Sequence, residues 1–373
     1  MRILHIVPNL SKGGAERLAL DICTELSSRS GVKAALVALN PHNEYSDFTK
    51  AIDYRVIPSK YIPSLRGKAV VEIEALAQFI RDFKPDVIHS HLFEAEMVSR
   101  HVAYGNAKWF SHCHDNMKQL KSFSWDVLTS KVAFTDYYER RLLLKAYSKC
   151  SNSFIAISKH TQDYFLSNLP LQFRDRIFLL HNAIRFHAFN AVCSVKECTP
   201  LHLVNVGSFV AKKNQQFLVD VVHCLVKKNI AVKLTMLGDG ILRKAVQEKV
   251  NKLGLEQYIS LPGNVANVPQ YLSEASIYVH SATYEPFGLV LLEAMAAGLP
   301  IVSLDGGGNR DIIEEGENGY LLTEQNPEIF ATAILKLAAD KVLYRKMSDY
   351  AVAYARQHDI ASYTDKLLQL YQK

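Results

Sequence analysis

The chain has 373 residues, of which 49% are hydrophobic and 21% charged, with 17 Gly and 12 Pro. This composition excludes a disordered or fibrous protein, and the length predicts two domains, each with a buried core. The net charge of +6 is too small to indicate a nucleic-acid-binding protein by itself.

The first half of the chain alternates short β-rich runs with longer helical patterns. The predicted strands are 2–7, 33–39, 86–90, 108–112 and 153–157, and the predicted helices are 15–28 and 70–83. Such alternation indicates a parallel sheet covered by helices. Residues 183–200 break the pattern and end in Thr199-Pro200, which favours a linker.

The alternation restarts after this break. The predicted strands are 202–206, 231–237, 277–280 and 300–304, and the predicted helices are 214–228, 241–253 and 288–297. We therefore predict an α/β chain with two Rossmann-like, doubly wound domains facing across a cleft. The domains are expected over 1–185 and 201–355, joined by a linker over 186–200 and followed by a helix over 356–373 that is a candidate for crossing back to the first domain. Ligands of open α/β sheets bind at the carboxyl ends of the strands.

The cysteines and the first residues favour a reducing compartment. Six cysteines without a CxxC pair predict neither a zinc site nor a disulfide framework. The opening MRILHIVPNL lacks the basic region and the longer apolar run of a signal peptide. No run of about 18 apolar residues occurs. We expect a cytoplasmic protein, with the inner membrane face as a second option.

Residues 281–298, SATYEPFGLVLLEAMAAG, carry the most informative pattern. Glu285 lies in a loop, Gly288 precedes a predicted helix, and Glu293 lies within that helix among apolar residues. A helix N-terminus suits a phosphate, and carboxylates accept hydrogen bonds from sugar hydroxyls. The segment therefore fits a diphosphate with a sugar at each end. The alternative is an amphipathic helix with Glu293 in solvent.

Glycine-rich loops follow several of the predicted strands. Lys212 and Lys213 in the loop GSFVAKKNQQ could meet phosphate charge, and solvated lysines are the alternative. Gly13-Gly14, Gly238-Asp239-Gly240 and Gly306-Gly307-Gly308 allow a ligand to approach the backbone, and plain turns are the alternative. The turn at Gly238 lacks the third glycine of a dinucleotide-binding fingerprint.

Four histidines cluster in the motifs HSH and HCH, at His89, His91, His112 and His114. Alternate residues of a strand share one face, which raises the question of a metal. No HExxH spacing and no DxD motif occurs, so no metal is expected. His114 follows a strand that should point into the cleft and is the favoured candidate for a catalytic or substrate-binding role. An ordinary loop histidine is the alternative.

The positive charge is unevenly distributed. Residues 1–190 carry 25 basic and 18 acidic side chains, whereas residues 191–373 carry 18 and 19. Basic and aromatic residues mix in the segment 117–149, a composition that suits an anionic membrane face. The alternative is two surface helices packed on the core. Any partner attracted by charge should meet the first half of the chain.

The spacing from Glu285 to Glu293 resembles the E-x7-E signature of retaining nucleotide-sugar glycosyltransferases with the GT-B fold, in group 1 or family four. The continuation EAMAAGLPIVSLDGGGNRDIIEEGENGYLL is similar to that of the same family. GSFVAKKN, LPGNVANVPQYLSEASIYVHSA, SFIAISKHTQDYF and the opening Gly-Gly-x-Glu are similar as well. The resemblance covers nearly the whole chain, is most specific over 200–323, and is typical of capsule, exopolysaccharide and lipopolysaccharide enzymes.

The resemblance implies a role for each matching residue. Glu293 is expected to bind the nucleotide ribose, Glu285 the transferred sugar and Lys213 the diphosphate. Ser208 stands where the family usually has Arg, so one phosphate contact is missing and Lys212 is expected to compensate. The implied catalytic residues are Glu285, His114 and Lys213. The implied donor-binding residues are Gly14, Ser208, Lys212, Lys213, Gly238, Asn264, Val265, Glu285, Gly288, Leu289, Val290 and Glu293. The implied acceptor-side residues are Gly13, Glu16, His91 and His112.

The resemblance implies transfer of a hexose or N-acetylhexosamine, with retention, from a nucleoside diphosphate sugar to an acceptor hydroxyl. A UDP-sugar donor and a lipid-linked glycan or lipopolysaccharide precursor as acceptor are expected. No cofactor, no metal at the diphosphate and no nucleic acid are expected. Two alternatives stay open, a nucleotide-sugar epimerase and a non-catalytic sugar-nucleotide-binding subunit.

Overall fold

In the computed structural model, residues 1–64, 68–190 and 200–373 are described, and the chain divides into two compact units. Unit 1 comprises residues 1–182 and 360–373, and unit 2 comprises residues 183–359. Residues 191–199, which form most of the expected linker, lie outside the described residues.

Unit 1 contains nine strands and eight α-helices among its described residues. The strands are β1 (Arg2–Val7), β2 (Lys33–Ala38), β3 (Tyr54–Val56), β4 (Lys60–Ile62), β5 (Val70–Glu72), β6 (Val87–His91), β7 (Lys108–Cys113), β8 (Ser153–Ala156) and β9 (Ile177–Leu179). The helices are α1 (Gly14–Ser27), α2 (Ser46–Thr49), α3 (Glu74–Phe83), α4 (Leu92–Ser99), α5 (Lys131–Cys150), α6 (Lys159–Asn168), α7 (Leu171–Arg174) and α15 (Ile360–Gln372).

Seven of these strands form one parallel sheet in the order β3-β2-β1-β6-β7-β8-β9. The strand order reverses between β1 and β6, which makes the carboxyl ends of these two strands a topological switch point. Burial on both faces explains why the central strands are almost wholly apolar. The buried polar exceptions are the histidines of β1, β6 and β7, with Ser90 and Ser111.

The helix predicted over 70–83 is wrong in its first part. Residues 70–72 form β5, which pairs antiparallel with β4, and the helix begins only at Glu74. The β-branched Val70 and Val71 favour a strand over a helix. Two short 3₁₀-helices, Lys118–Leu120 and Trp125–Leu128, and the single helix α5 replace the pair of surface helices considered for 117–149.

The helix α15 belongs to unit 1 although it is far from the rest of that unit in sequence. It begins at Ile360, after α14 (Lys341–Arg356) has ended, and so is shorter than the helix expected over 356–373. It packs on α1, where the Arg29 guanidinium lies 3.0 Å from the Asp365 carboxylate. At its other end, the Lys108 ammonium donates to the carbonyl of Tyr371 at 3.1 Å.

Unit 2 repeats the same plan. Its strands are β10 (Leu201–Val206), β11 (Val232–Leu237), β12 (Ile259–Gly263), β13 (Ile277–His280), β14 (Ile301–Leu304) and β15 (Gly319–Leu322). Its helices are α8 (Phe186–Phe189), α9 (Gln215–Lys227), α10 (Arg243–Lys252), α11 (Val268–Glu274), α12 (Leu289–Ala296), α13 (Pro327–Ala339) and α14. The sheet order is β12-β11-β10-β13-β14-β15, with every pair parallel, so its switch point lies between β10 and β13. Among the described residues, no helix is both long enough and apolar enough to cross a membrane.

Candidate functional site

Two loops meet at the switch point of unit 2. One follows β10 and contains the 3₁₀ turn Ala211–Lys213, and the other follows β13 and leads to α12. The Thr283 N–H donates to the Lys212 carbonyl at 2.9 Å, and the Ser281 hydroxyl donates to the Lys213 carbonyl at 2.8 Å. These two bonds align the loops, so that the Lys213 side chain lies against Glu285.

The Glu285 carboxylate accepts from two partners through Oε2. The Lys213 ammonium forms an ion pair with it, and the His280 Nε2 lies 3.1 Å away. Burial alone would raise the pKa of Glu285, but the Lys213 charge and the His280 hydrogen bond outweigh burial and hold the pKa at about 2. Burial lowers the pKa of His280 against the opposing influence of Glu285. Glu285 is therefore ionised, and the neutral His280 donates from Nε2.

The glycines of the 306–308 loop hold the backbone of Glu285 in place. The Glu285 N–H donates to the Gly306 carbonyl, and the Gly308 N–H donates to the Glu285 carbonyl, both at 2.8 Å. A Cβ on Gly308 would lie 1.8 Å from the Pro286 carbonyl oxygen, and one on Gly306 would lie 2.8 Å from the Glu285 nitrogen. Gly306 and Gly308 thus allow a close approach between this loop and the backbone around Glu285.

Helix α12 begins directly after this loop, with Gly288 at φ +106° as its N-cap. A side chain there would be strained and would lie 2.8 Å from Leu291 Cδ1. The backbone N–H groups of Leu289 and Val290 are in the first turn, where a helix offers donors to an anion. Glu293 lies one turn further along and is half-buried. It is therefore neither fully exposed nor fully buried.

Apart from Gly14, which is the first residue of α1 in unit 1, the other residues expected at the donor site lie in loops at the same edge of the unit 2 sheet. Ser208 and Lys212 are exposed after β10, and the Lys212 ammonium lies 5.4 Å from the centre of the Tyr284 ring. Gly238 follows β11 at φ +126°, where a Cβ would lie 2.2 Å from the Gly207 carbonyl oxygen. The loop after β12 carries Asn264, which is exposed, and Val265, which is half-buried.

The expected acceptor-side residues lie at the carboxyl edge of the unit 1 sheet. Gly13 is the N-cap of α1, and Gly14 is its exposed first residue. The Glu16 carboxylate folds back over Gly13, where a Cβ would lie 2.3 Å from Glu16 Oε2. Burial raises the pKa of Glu16. The Glu16 carboxylate therefore lies over Gly13 at the start of the helix.

The unit 1 histidines are closer together than their spacing suggested. His91 Nδ1 lies 2.9 Å from His114 Nε2, and the His112 and His114 rings stack with centroids 4.2 Å apart. His91, His112 and His114 form one group of three nitrogen ligands within 4.8 Å, and His5, His89 and His91 form another. Both ring nitrogens of His91 bind other histidines, since Nε2 lies 2.9 Å from His5 Nδ1. Both ring nitrogens of His91 are therefore engaged within the histidine cluster.

The sequence did not reveal three residues that hydrogen-bond to the predicted site residues or to the clustered histidines. His280 ends β13 five residues before Glu285, and a histidine in an otherwise apolar strand was the available signal. His5 has the same signal in β1. Tyr371 had no such signal in the sequence, because its partner is 282 residues away in the chain. Its hydroxyl lies 2.5 Å from His89 Nδ1.

Comparison with known proteins identifies the family. Residues 12–187 match the family model described as Glycosyltransferase Family 4, and residues 194–356 match the model described as Glycosyl transferases group 1. Together the two models cover most of the chain, one in each half.

Individual curated relatives match only part of the chain, at low sequence identity. Poly(ribitol-phosphate) alpha-N-acetylglucosaminyltransferase of Staphylococcus aureus is 28% identical over 52% of this chain and 38% of its own length. The lipopolysaccharide core biosynthesis glycosyltransferase LpsE of Rhizobium meliloti is 30% identical over 45% of this chain and 48% of its own length. The chain thus spans less than half the length of these curated relatives.

The crystal structure of Anabaena HepE in complex with UDP has a TM-score of 0.80 at 20% identity, with 100% of each chain covered. Two parallel, doubly wound units and both family matches lead to one conclusion: the chain belongs to the group 1, family 4 glycosyltransferases and has the GT-B fold.

Proposed function

We propose that the protein transfers a hexose or an N-acetylhexosamine from a nucleoside diphosphate sugar, with UDP-sugars favoured, to an acceptor hydroxyl with retention of anomeric configuration. The acceptor is a lipid-linked glycan or a lipopolysaccharide precursor. Unit 2 binds the nucleotide sugar and unit 1 binds the acceptor. Support for the uridine nucleotide comes from the solved complex of HepE with UDP. Support for the acceptor class comes from relatives that act on poly(ribitol phosphate) and on lipopolysaccharide core.

The observation that carries the donor proposal is the arrangement of charge at the start of α12. Lys213 is 19% exposed and paired with the buried Glu285, which lies three residues before Gly288, the N-cap of α12. A cation and a helix N-terminus in one place suit a diphosphate. Glu293, half-buried one turn later, is positioned to accept from ribose hydroxyls.

The same groups account for the chemical step. Departure of the nucleoside diphosphate leaves negative charge on its terminal phosphate, and Lys213 and the helix N–H groups would stabilise that charge more strongly in the transition state than in the ground state. The proposal requires no metal at the diphosphate, because these groups supply the positive potential. Glu285 is ionised and accepts from the transferred sugar, and the acceptor hydroxyl attacks from the face that the diphosphate leaves.

The donor assay compares Glu293→Gln and Lys213→Ala with the exposed control Glu256→Gln. We expect Glu293→Gln to raise the KM for the donor, Lys213→Ala to lower kcat, and Glu256→Gln to leave both unchanged. NMR of the anomeric proton in the product tests retention. An inverted product would refute the proposed stereochemistry, and equal rates in all three variants would refute the donor site.

The two alternatives make different products. A nucleotide-sugar epimerase converts the donor without any acceptor, so an epimerised donor in an acceptor-free reaction would favour it. A non-catalytic subunit binds the donor without turnover. Transfer that requires an acceptor and that Glu293→Gln impairs would exclude both.

The segment between β7 and α5 supports a proposal about location. It exposes Phe123, Trp125 and Leu128, with Trp125 78% exposed, and Val132 is exposed in the adjoining first turn of α5. Lys118 and Lys121 line a depression of about 450 Å³ in the same segment. Apolar side chains beside lysines suit the surface of an anionic membrane, where each lysine contributes about 1 kcal/mol. We expect the protein to bind such a membrane peripherally through this segment.

Flotation with vesicles tests this location. Wild-type protein should float with vesicles that contain anionic lipid, and binding should fall with salt. The double variant Trp125→Ala/Leu128→Ala should bind less, whereas Leu171→Ala, which removes a leucine that is 75% exposed on α7, should bind as wild type does. Binding that neither salt nor the double variant reduces would refute the proposal.

A further inference from the structure

Three adjacent strands of unit 1 bring five histidines together at the switch point. His5 in β1 lies opposite His89 in β6, and His91 in β6 lies opposite His112 in β7, with His114 directly after β7. The first four are at most 1% exposed. Burial, with the neighbouring imidazoles, lowers the pKa of His5 to about 3, and burial lowers the pKa of His112 to about 4. Burial also lowers the pKa values of His89, His91 and His114.

A continuous line of hydrogen bonds connects four of these rings, those of His5, His89, His91 and His114, to α15. The Tyr371 hydroxyl lies 2.5 Å from His89 Nδ1 and 3.4 Å from His5 Nε2. His5 Nδ1 lies 2.9 Å from His91 Nε2, and His91 Nδ1 lies 2.9 Å from His114 Nε2. A neutral imidazole has one donor and one acceptor nitrogen, so the proton position on one ring determines the position on the next.

The direction in which hydrogen bonds are donated along this line follows from buried ring nitrogens that have no hydrogen-bond partner. Three such ring nitrogens occur among the described histidines: His89 Nε2, His112 Nδ1 and His280 Nδ1. His112 Nε2 faces the Asn182 amide oxygen and His280 Nε2 faces the Glu285 carboxylate, so both must donate from Nε2. Their unpartnered Nδ1 atoms are therefore lone pairs, in keeping with the rarity of a buried N–H without an acceptor.

The same rule places the proton of His89 on Nδ1, from which it donates to the Tyr371 oxygen. The Tyr371 hydroxyl then donates to His5 Nε2, His5 Nδ1–H donates to His91 Nε2, and His91 Nδ1–H donates to His114 Nε2. His114 is left with its proton on Nδ1. The histidine rings also stack, with interplanar angles of 9° for His112 on His114 and 13° for His89 on His91. Near-parallel rings direct their lone pairs alongside one another, which disfavours convergence on one tetrahedral metal.

We propose that the line Tyr371–His5–His91 holds His114 in its Nδ1–H tautomer, so that His114 serves the substrate as a neutral hydrogen-bond donor and not as a general base. Tyr371, His5 and His91 are then positioning residues, since they act through His114. The contact with substrate rests on the proposed function, whereas the tautomer does not. The consequence is that α15, the last helix of the chain, determines the chemistry of a loop after β7.

Nitrogen NMR of full-length protein with ¹⁵N-labelled histidine tests the tautomer directly. The His114 signals are assigned by their loss in His114→Gln. We expect wild-type His114 to be protonated on Nδ1 near neutral pH. Tyr371→Phe removes only the hydroxyl, so His5 loses its fixed donor and His114 should show both tautomers. Tyr363→Phe is the matched control on the same helix, because the buried Tyr363 hydroxyl has no hydrogen-bond partner among the described residues, and it should leave the His114 signals unchanged.

Three results would overturn the proposal. The first is wild-type His114 protonated on Nε2. The second is an unchanged His114 tautomer in a folded Tyr371→Phe protein, with folding checked by the melting temperature. The third is stoichiometric binding of Zn²⁺ that shifts the nitrogen signals of His91, His112 and His114 together. If the tautomer is as expected but the protein transfers no sugar, the proposed function fails and this inference stands.

Discussion

Replacing Lys213 by methionine removes the ammonium from the Lys213–Glu285 pair and keeps most of the apolar stem. In the wild type, the pKa of Glu285 is held at about 2 instead of 4.5. That difference corresponds to about 3.5 kcal/mol of folding free energy, at about 1.4 kcal/mol per pH unit. Removing one partner of a buried ion pair costs about 3–5 kcal/mol. We therefore expect Lys213→Met to destabilise unit 2 by about 3 kcal/mol at pH 7.

The pH dependence has a definite sign. The pKa of Glu285 is depressed in the folded state, so its stabilising contribution is present above pH 4.5 and is lost as the pH falls toward 2. The difference between wild type and Lys213→Met should therefore shrink to about half by pH 3. The double variant Lys213→Met/Glu285→Gln should be more stable than Lys213→Met, because it no longer buries an unpaired carboxylate.

Calorimetry and fluorescence together separate the two units. Both tryptophans, Trp109 and Trp125, lie in unit 1, so their fluorescence serves as an internal control. The calorimetric transition of unit 2 should fall by roughly 6–12 °C in Lys213→Met, while the fluorescence transition stays in place. Lys212→Met, which changes the exposed neighbour, should cost less than about 0.5 kcal/mol. A loss below about 1 kcal/mol for Lys213→Met, additive with Glu285→Gln, would refute the ion-pair reasoning.

Two further substitutions test packing and buried hydrogen bonding. Gly308→Ala should lower the free energy of unfolding by about 3 kcal/mol, because its Cβ would lie 1.8 Å from the Pro286 oxygen. The control Gly105→Ala, with no atom within 4 Å of the added Cβ, should be neutral or slightly stabilising. Equal melting temperatures of the two variants would contradict this reasoning. Tyr147→Phe removes a hydroxyl that donates to the buried Glu96 carboxylate, should raise the pKa of Glu96 further and should cost about 1–3 kcal/mol, measured by urea unfolding followed by tryptophan fluorescence. An unchanged unfolding midpoint would show that the Ser111 hydroxyl, 2.8 Å from the same carboxylate oxygen, suffices alone.

The strands and helices that bury an apolar face could be predicted from the sequence. The strands predicted over 2–7 and 277–280 have the bounds that the structure shows, and the helix predicted over 288–297 is shorter by one residue at each end. Each is a short apolar run between glycine-containing or polar loops. A run that is buried on both faces has few conformations open to it besides a regular strand or helix. The strand at 70–72 could not be predicted this way, because among the described strands it pairs with another short strand that has no apolar period.

The candidate site was predictable in composition but not in its connections. Lys213 and Glu285 were assigned to different parts of the donor, and only the structure shows that one carboxylate oxygen binds both Lys213 and His280. The histidines of β6 and β7 were visible as HSH and HCH, whereas the register that sets His5 beside His89 depends on sheet order. Side-chain partners tens or hundreds of residues apart leave no mark in local spacing.

The return of α15 to unit 1 has a consequence for how the chain folds as it is synthesised. Residues 1–182 leave the ribosome long before residues 360–372. The face of α1 that α15 covers, and the His5 and His89 rings that the Tyr371 hydroxyl contacts, are therefore without these partners while all of unit 2 is made. Domains generally fold as units during synthesis, and unit 2, continuous in sequence from 183 to 359, can therefore complete its core first. Only after α15 has been synthesised can it pack on α1 and place the Tyr371 hydroxyl against the histidines of unit 1.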